Sequence, residues 1–149
     1  MKDRVIVGGL AGMAGSLSSA VYVFILNLAD IGSKKLFFLN ASIFLTDEAA
    51  KTLAGNIYGF IIHLLVGAII GMVFLYFFPA TGDDYLFIKG MLLGGVSWLF
   101  IGGILGTMLG LEVKDTILEG YLMIIKNIIF GVVTIYISSF LYREEKIES

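Results

Sequence analysis

Four apolar runs divide the chain: Val5 to Leu28, Ile57 to Phe78, Phe87 to Leu111 and, roughly, Met123 to Tyr142. Crossing the ~30 Å hydrocarbon core takes roughly 20 apolar residues in a helix, the form in which one segment satisfies its own backbone in lipid. Within the runs the ionisable side chains are His63, Lys89 and Lys126, and Lys89 sits at an end. The pattern predicts an all-α integral membrane four-helix bundle, with residues 1–149 as a single membrane domain. The first run is too long for the apolar core of a signal peptide and ends without a small-x-small cleavage site, so it reads as a retained span.

The polar punctuation sets the connections. Pro79, Ala80, Thr81, Gly82, Asp83 and Asp84 form a turn cluster that stops the second helix and returns the chain at once. Helices two and three are therefore expected as an antiparallel central hairpin. The longest connection, 29–56, carries Lys34 and Lys35 before Leu36, Phe37 and Phe38, and later Ile43, Phe44 and Leu45. It suits either a segment in the headgroup plane or a loop half-buried against the bundle. Thr46, with Asp47 and Glu48 behind it, reads as a cap from which the second helix runs on into the membrane. Thr116 and Glu119 have capping-box spacing ahead of the fourth.

Inside the spans runs a four-residue rhythm of small residues. The first has Gly8, Gly12, Ser16 and Ala20; the second Gly55, Gly59, His63, Gly67 and Gly71; the third Gly90, Gly94, Trp98, Gly102, Gly106 and Gly110. A step of four advances about 400° around an α-helix, so each series forms one slowly drifting ridge. Lipid solvates leucine as well as protein does, and membrane helices associate instead through close backbone approach at small residues. These glycines and Ser16 are the expected helix-packing positions, within the chain or toward another subunit.

His63 and Trp98 are the large members of their series and are expected at similar depth near mid-membrane. Trp98 suits a ring entering a neighbouring helix's glycine notch, with its indole N–H seeking a partner such as His63. A titratable group in lipid is a candidate site by default. For His63 the readings are an interhelical hydrogen bond, a proton-relay or gating role, and, across a symmetric dimer, axial ligation of a haem. Lys126 and Asn127 lie inside the fourth span, where lysine is expected to run its stem toward the headgroups. No Asp or Glu lies deep in a span, which weighs against proton-coupled transport and aspartyl intramembrane proteolysis.

Composition agrees with a membrane domain: 149 residues, 58% hydrophobic and 15% charged, with a mean hydropathy of +0.97. The net charge of -2 and scattered lysines and arginines argue against nucleic acid as a partner. There is no cysteine, hence no thiolate metal site or thiol nucleophile, and no metal or other cofactor is expected. Walker, His-Glu-x-x-His and G-x-S-x-G patterns are absent, so the chain reads as no enzyme. Lysine and arginine counts tie across the two sides; Lys2 and Arg4 beside the first span favour both termini in the cytoplasm.

Gly55-Asn56 with Gly59, His63 and Gly67, then Lys89-Gly90, Gly94-Gly95 and Trp98, then Tyr121 and Gly131 carry a resemblance. Over the last two-thirds of its length the chain is similar to the YqhR-like group of small uncharacterised bacterial membrane proteins. That resemblance implies a bacterial cell-membrane protein and carries over no catalytic residue. The function expected is non-enzymatic action through helix association, as a homo-oligomer or as an accessory subunit of a membrane partner. The alternatives are a small channel or transporter with a path near His63, and a haem- or quinone-binding protein with His63 and Trp98 as candidate residues.

Overall fold

The computed structural model describes residues 3–31, 37–77, 82, 84–108 and 116–143. Its elements in chain order are α1 (Arg4–Leu28), two short helices α2 (Phe38–Ser42) and α3 (Asp47–Ala50), then α4 (Leu53–Phe77). The third long helix is composite: α5 (Leu86–Ser97), a π-helical segment (Trp98–Leu105) and a final turn α6 (Gly106–Met108); α7 (Ile117–Arg143) closes the chain. Four helices, Arg4–Leu28, Leu53–Phe77, Leu86–Met108 and Ile117–Tyr142, are long and apolar enough to cross a membrane. The architecture is the all-α four-helix bundle expected.

The helices begin where the sequence offers caps. Asp3 accepts the N–H of Val5 at 2.8 Å. Thr116 and Glu119 form the expected reciprocal box: Glu119 accepts the Thr116 N–H at 2.8 Å, and Thr116 Oγ1 accepts the Glu119 N–H at 3.3 Å. Thr46 caps α3, not the long helix. The chain breaks at Lys51 and Thr52, and Thr52 becomes the cap of α4, its hydroxyl accepting the Gly55 N–H at 3.0 Å. That second cap folds α3 back onto the first turn of α4. A Cβ on Gly55 would lie 2.7 Å from Ala50 Cα, so glycine permits the approach. The turn cluster after α4 lies largely outside the described residues; Gly82 within it has φ 71°, and its carbonyl accepts from Lys89 Nζ at 2.8 Å.

The packing order corrects the expected central hairpin. α4 lies along α1, α1 along α7, and α7 along α5, whereas no seam joins α4 to α5. The central pair is thus the first and last long helices, and the second and third stand on the outside. Arg4 Nη2 donates to Tyr142 Oη at 3.3 Å, tying the start of α1 to the end of α7.

Small residues explain the order. α1 carries two series on adjacent faces, one residue and hence about 100° apart. Gly8, Gly12 and Ser16 meet Gly67 and Gly71 of α4, while Gly15 meets Phe130 and Thr134 of α7. Ala11 and Ser19, flanking Gly15 in its series, are fully buried. α7 also has two: Thr134 and Ser138 are fully buried, and Asn127 and Gly131 accept Gly90 and Gly94 of α5. A helix with two small faces can hold two neighbours. α4 and α5 have one each and become edges.

Candidate functional site

The expected packing residues fall into three groups. Gly8, Gly12, Ser16, Gly67 and Gly71 interlock between α1 and α4: a Cβ on Gly8 would stand 2.8 Å from Met72 Cα, and one on Gly71 2.8 Å from Gly12 Cα. Gly90 and Gly94 do the same against α7, with Val132 Cα at 2.5 Å and Ile128 Cα at 2.8 Å. Gly55 and Gly59 face the long connection instead, Gly59 lying under Phe37. Of that connection, 37–52 packs on the bundle: Ala41 and Ala50 are fully buried, and α2 and α3 lie against α4.

Gly102 and Gly106 join no seam. The nearest atoms to a Cβ there belong to Trp98 and Ile101 of their own helix, and Gly110 lies outside the described residues. The cause is the π-helical segment. Each π turn takes an extra residue, so a step of four falls short of a full turn where an α-helix overshoots it. The glycine ridge therefore swings away from α7 after Ser97. Trp98 follows it: its ring lies over Gly102, with Nε1 3.8 Å from the position of a Gly102 Cβ. It enters no neighbouring notch and makes no hydrogen bond to His63.

His63 belongs to a different constellation. Its Nε2 lies 3.0 Å from Ser19 Oγ and 3.2 Å from the Ser16 carbonyl oxygen. Ser19 Oγ donates to that same carbonyl at 2.9 Å, and Ser16 Oγ donates to the His63 carbonyl at 3.2 Å. The tautomer protonated at Nε2 fits all of these contacts, with Nε2 donating to the Ser16 carbonyl and to Ser19 Oγ; in the tautomer protonated at Nδ1, Nε2 accepts from the Ser19 hydroxyl instead. Phe37 leans on the imidazole with ring centroids 6.0 Å apart.

This knot forms one wall of a cleft of about 80 Å³, whose polar lining is Ser16, Ser19, Asn40, His63, Lys126 and Asn127. Val66, Ile70, Ile101 and Phe130 supply apolar lining. The lining residues thus come from α1, α4, α7, the π-helical segment and, through Asn40, α2. His63, Ser16 and Lys126 all lie within a few residues of the middle of their helices. Asn127 Nδ2 donates to the Met123 carbonyl at 2.8 Å, which turns the amide oxygen away from its own helix backbone. Lys126 lines the cleft and acts electrostatically on the His63 ring.

Ser19 Oγ and His63 Nε2 are 3.0 Å apart, Ser19 is fully buried, and the described residues that line the cleft include no carboxylate. Among the described residues there is no group of His, Cys, Asp or Glu able to hold a metal ion. Asn40 and Phe37 were not visible as site residues from sequence, because the long connection has no periodicity that places it against α4. Gly15 and Gly131 were legible as packing positions: each continues a four-residue series with Ala11 and Ser19, or with Asn127.

Comparison of the chain with models of protein families, with curated proteins and with solved structures finds no match to any of them.

Proposed function

We propose that this chain is a non-enzymatic multi-pass membrane protein whose working part is the half-depth cleft, where it receives a small polar group, as a carrier or transporter does. The observation that carries this reading is the gathering of His63, Lys126, Asn127, Asn40, Ser16 and Ser19 around one cavity in the middle of four apolar helices. Ionisable and amide side chains at such depth are costly, and structural packing here is already supplied by glycine. The engagement of His63 Nε2 by α1 weighs against its use as an axial ligand of a haem. In this reading the protein resides in a bacterial cell membrane with both termini in the cytoplasm.

The absence of cysteine gives a direct test. Asn40→Cys and Asn127→Cys, in lipid, are expected to react with N-ethylmaleimide, a small uncharged reagent that dissolves in the bilayer and attacks only a thiol able to ionise, whereas Leu65→Cys, on the lipid face of α4, stays unreacted. A cleft as inert as the Leu65 position would sink the proposal.

A second reading, association with another subunit, keeps a specific support. The third long helix is 17% buried over its central window, against 28–39% for the others, and a Cβ on Gly95 or Gly103 would meet nothing within 4 Å. The glycines of α1 and α4, by contrast, are consumed inside the chain. Native mass spectrometry from lipid decides: a strict monomer with no co-purifying partner, in wild type and Gly103→Leu alike, removes this reading.

A further inference from the structure

The cleft has an asymmetry that bears on what enters it. Its loop end is covered by α2, whose Asn40 faces in. Its opposite end is shut by the α1–α4 seam, where Gly12 and Gly67 are in backbone contact. Its floor is the α1–α7 seam, closed at Gly15 against Phe130 and Thr134. The remaining direction is sideways, between α4 and the π-helical segment, which no seam joins. The lips there are Val66, Ile70 and Ile101, all apolar. At half-depth a sideways opening meets acyl chains, so the route in runs through lipid, not through water.

The interior has the complementary chemistry. Its lining includes Lys126, Asn40, Asn127 and His63, with the Lys126 charge acting on the His63 ring, and among the described residues no carboxylate. An ammonium has three donors, so Lys126 can serve a ligand while holding another partner. A cleft with about 80 Å³ of room for water-sized spheres admits several waters or a compact oxygen-bearing head.

Building on the proposed function, we infer that the cleft is a lateral binding site for a chain-bearing amphiphile with a compact anionic oxygen head. The head sits among Lys126, Asn127, Asn40 and His63, and the chain leaves between Val66 or Ile70 and Ile101 into the bilayer. A fatty carboxylate and a single-chain lipid phosphate share this chemistry.

Trp98 begins the segment that forms one lip and is the chain's one tryptophan, which makes it the reporter. The purified full chain in lipid nanodiscs is titrated with a fatty acid brominated along its chain, and quenching of Trp98 is read. Saturable quenching is expected at low mole fraction, displaced by unbrominated oleate at least tenfold better than by oleyl alcohol. A single-chain lipid phosphate in a parallel competition tells carboxylate from phosphate as the preferred head. Lys126→Met is expected to abolish the preference for acid over alcohol, and Lys126→Arg to keep it. Oleate is also expected to protect Asn127→Cys from the thiol reagent.

Equal displacement by alcohol and acid overturns the anionic head, and displacement by inorganic phosphate as effective as by oleate overturns the lateral route. Non-saturable quenching together with no protection of Asn127→Cys overturns the inference as a whole. If Asn127→Cys still reacts with the reagent in that case, the polar cleft stands and only its ligand class has failed. Should Lys126→Met not fold, the wild-type comparison of acid with alcohol still decides.

Discussion

Replacing Gly12 by alanine tests the glycine seam at its tightest point. The new Cβ would stand 2.7 Å from the Gly67 carbonyl carbon and 3.1 Å from Gly71 Cα, and nearer still to the Gly67 carbonyl oxygen. Carbon atoms prefer about 3.5–4.0 Å, so α1 and α4 must part by about 1 Å, and a gap of that size forfeits about a quarter to a half of each contact along the seam. Overpacking of this kind costs about 1–3 kcal/mol. Alanine gives back up to about 1 kcal/mol of helix propensity. Gly95→Ala is the matched control: it gains the same propensity and meets nothing within 4 Å. Gly12→Ala is therefore expected to be less stable than Gly95→Ala by about 1–3 kcal/mol, measured by reversible unfolding with a denaturing detergent and followed by circular dichroism. The double variant Gly12→Ala/Gly71→Ala is expected to cost less than the sum of its parts, because one displacement accommodates both methyls. A Gly12→Ala chain as stable as Gly95→Ala would refute the backbone-contact account of the bundle.

Other outcomes follow from single side chains. Thr116→Ala removes one half of the cap of α7 and is expected to cost about 1 kcal/mol, with faster amide exchange confined to the first turn. Ser138 is fully buried and its hydroxyl has no hydrogen-bond partner among the described residues; Ser138→Ala is expected to leave the unfolding midpoint unchanged or raise it. Ser19→Ala takes one hydrogen-bond partner from His63 Nε2 while leaving the Ser16 carbonyl. The expected loss is about 0.5–1.5 kcal/mol in the same unfolding assay, and a loss several times larger would mean that Ser19 does more than make that bond.

The number and approximate limits of the long helices are set by local matters: length of apolar run, caps, and the turn after α4. These depend on residues within a few positions of one another, so the four long apolar helices and the box at Thr116 and Glu119 are legible in the sequence alone. The cap at Thr46 is equally legible, but Thr52 competes with it six residues on, and only the packing of Gly55 against Ala50 decides that the helix breaks between them. His63 stands out in any reading because an ionisable ring in an apolar run is costly wherever it points.

What surrounds His63 is another matter. Chain proximity suggests that α4 should lie against α5, yet the two-sided small-residue faces of α1 and α7 put those helices in the middle. Even the four-residue rhythm of the third span conceals its own failure, since it keeps a ridge straight only while the helix stays α. Where the backbone turns π at Trp98, the same spacing carries Gly102 and Gly106 out of contact. The sequence by itself thus determined four apolar helices able to pack through glycine. The tertiary structure decided which helices meet, leaving α4 and the π-helical segment apart, with Asn40, His63, Lys126 and Asn127 around the space between them. The difference is physical: helix formation is decided residue by residue along the chain, whereas a cleft exists only where two helices with no mutual seam are held apart by their neighbours.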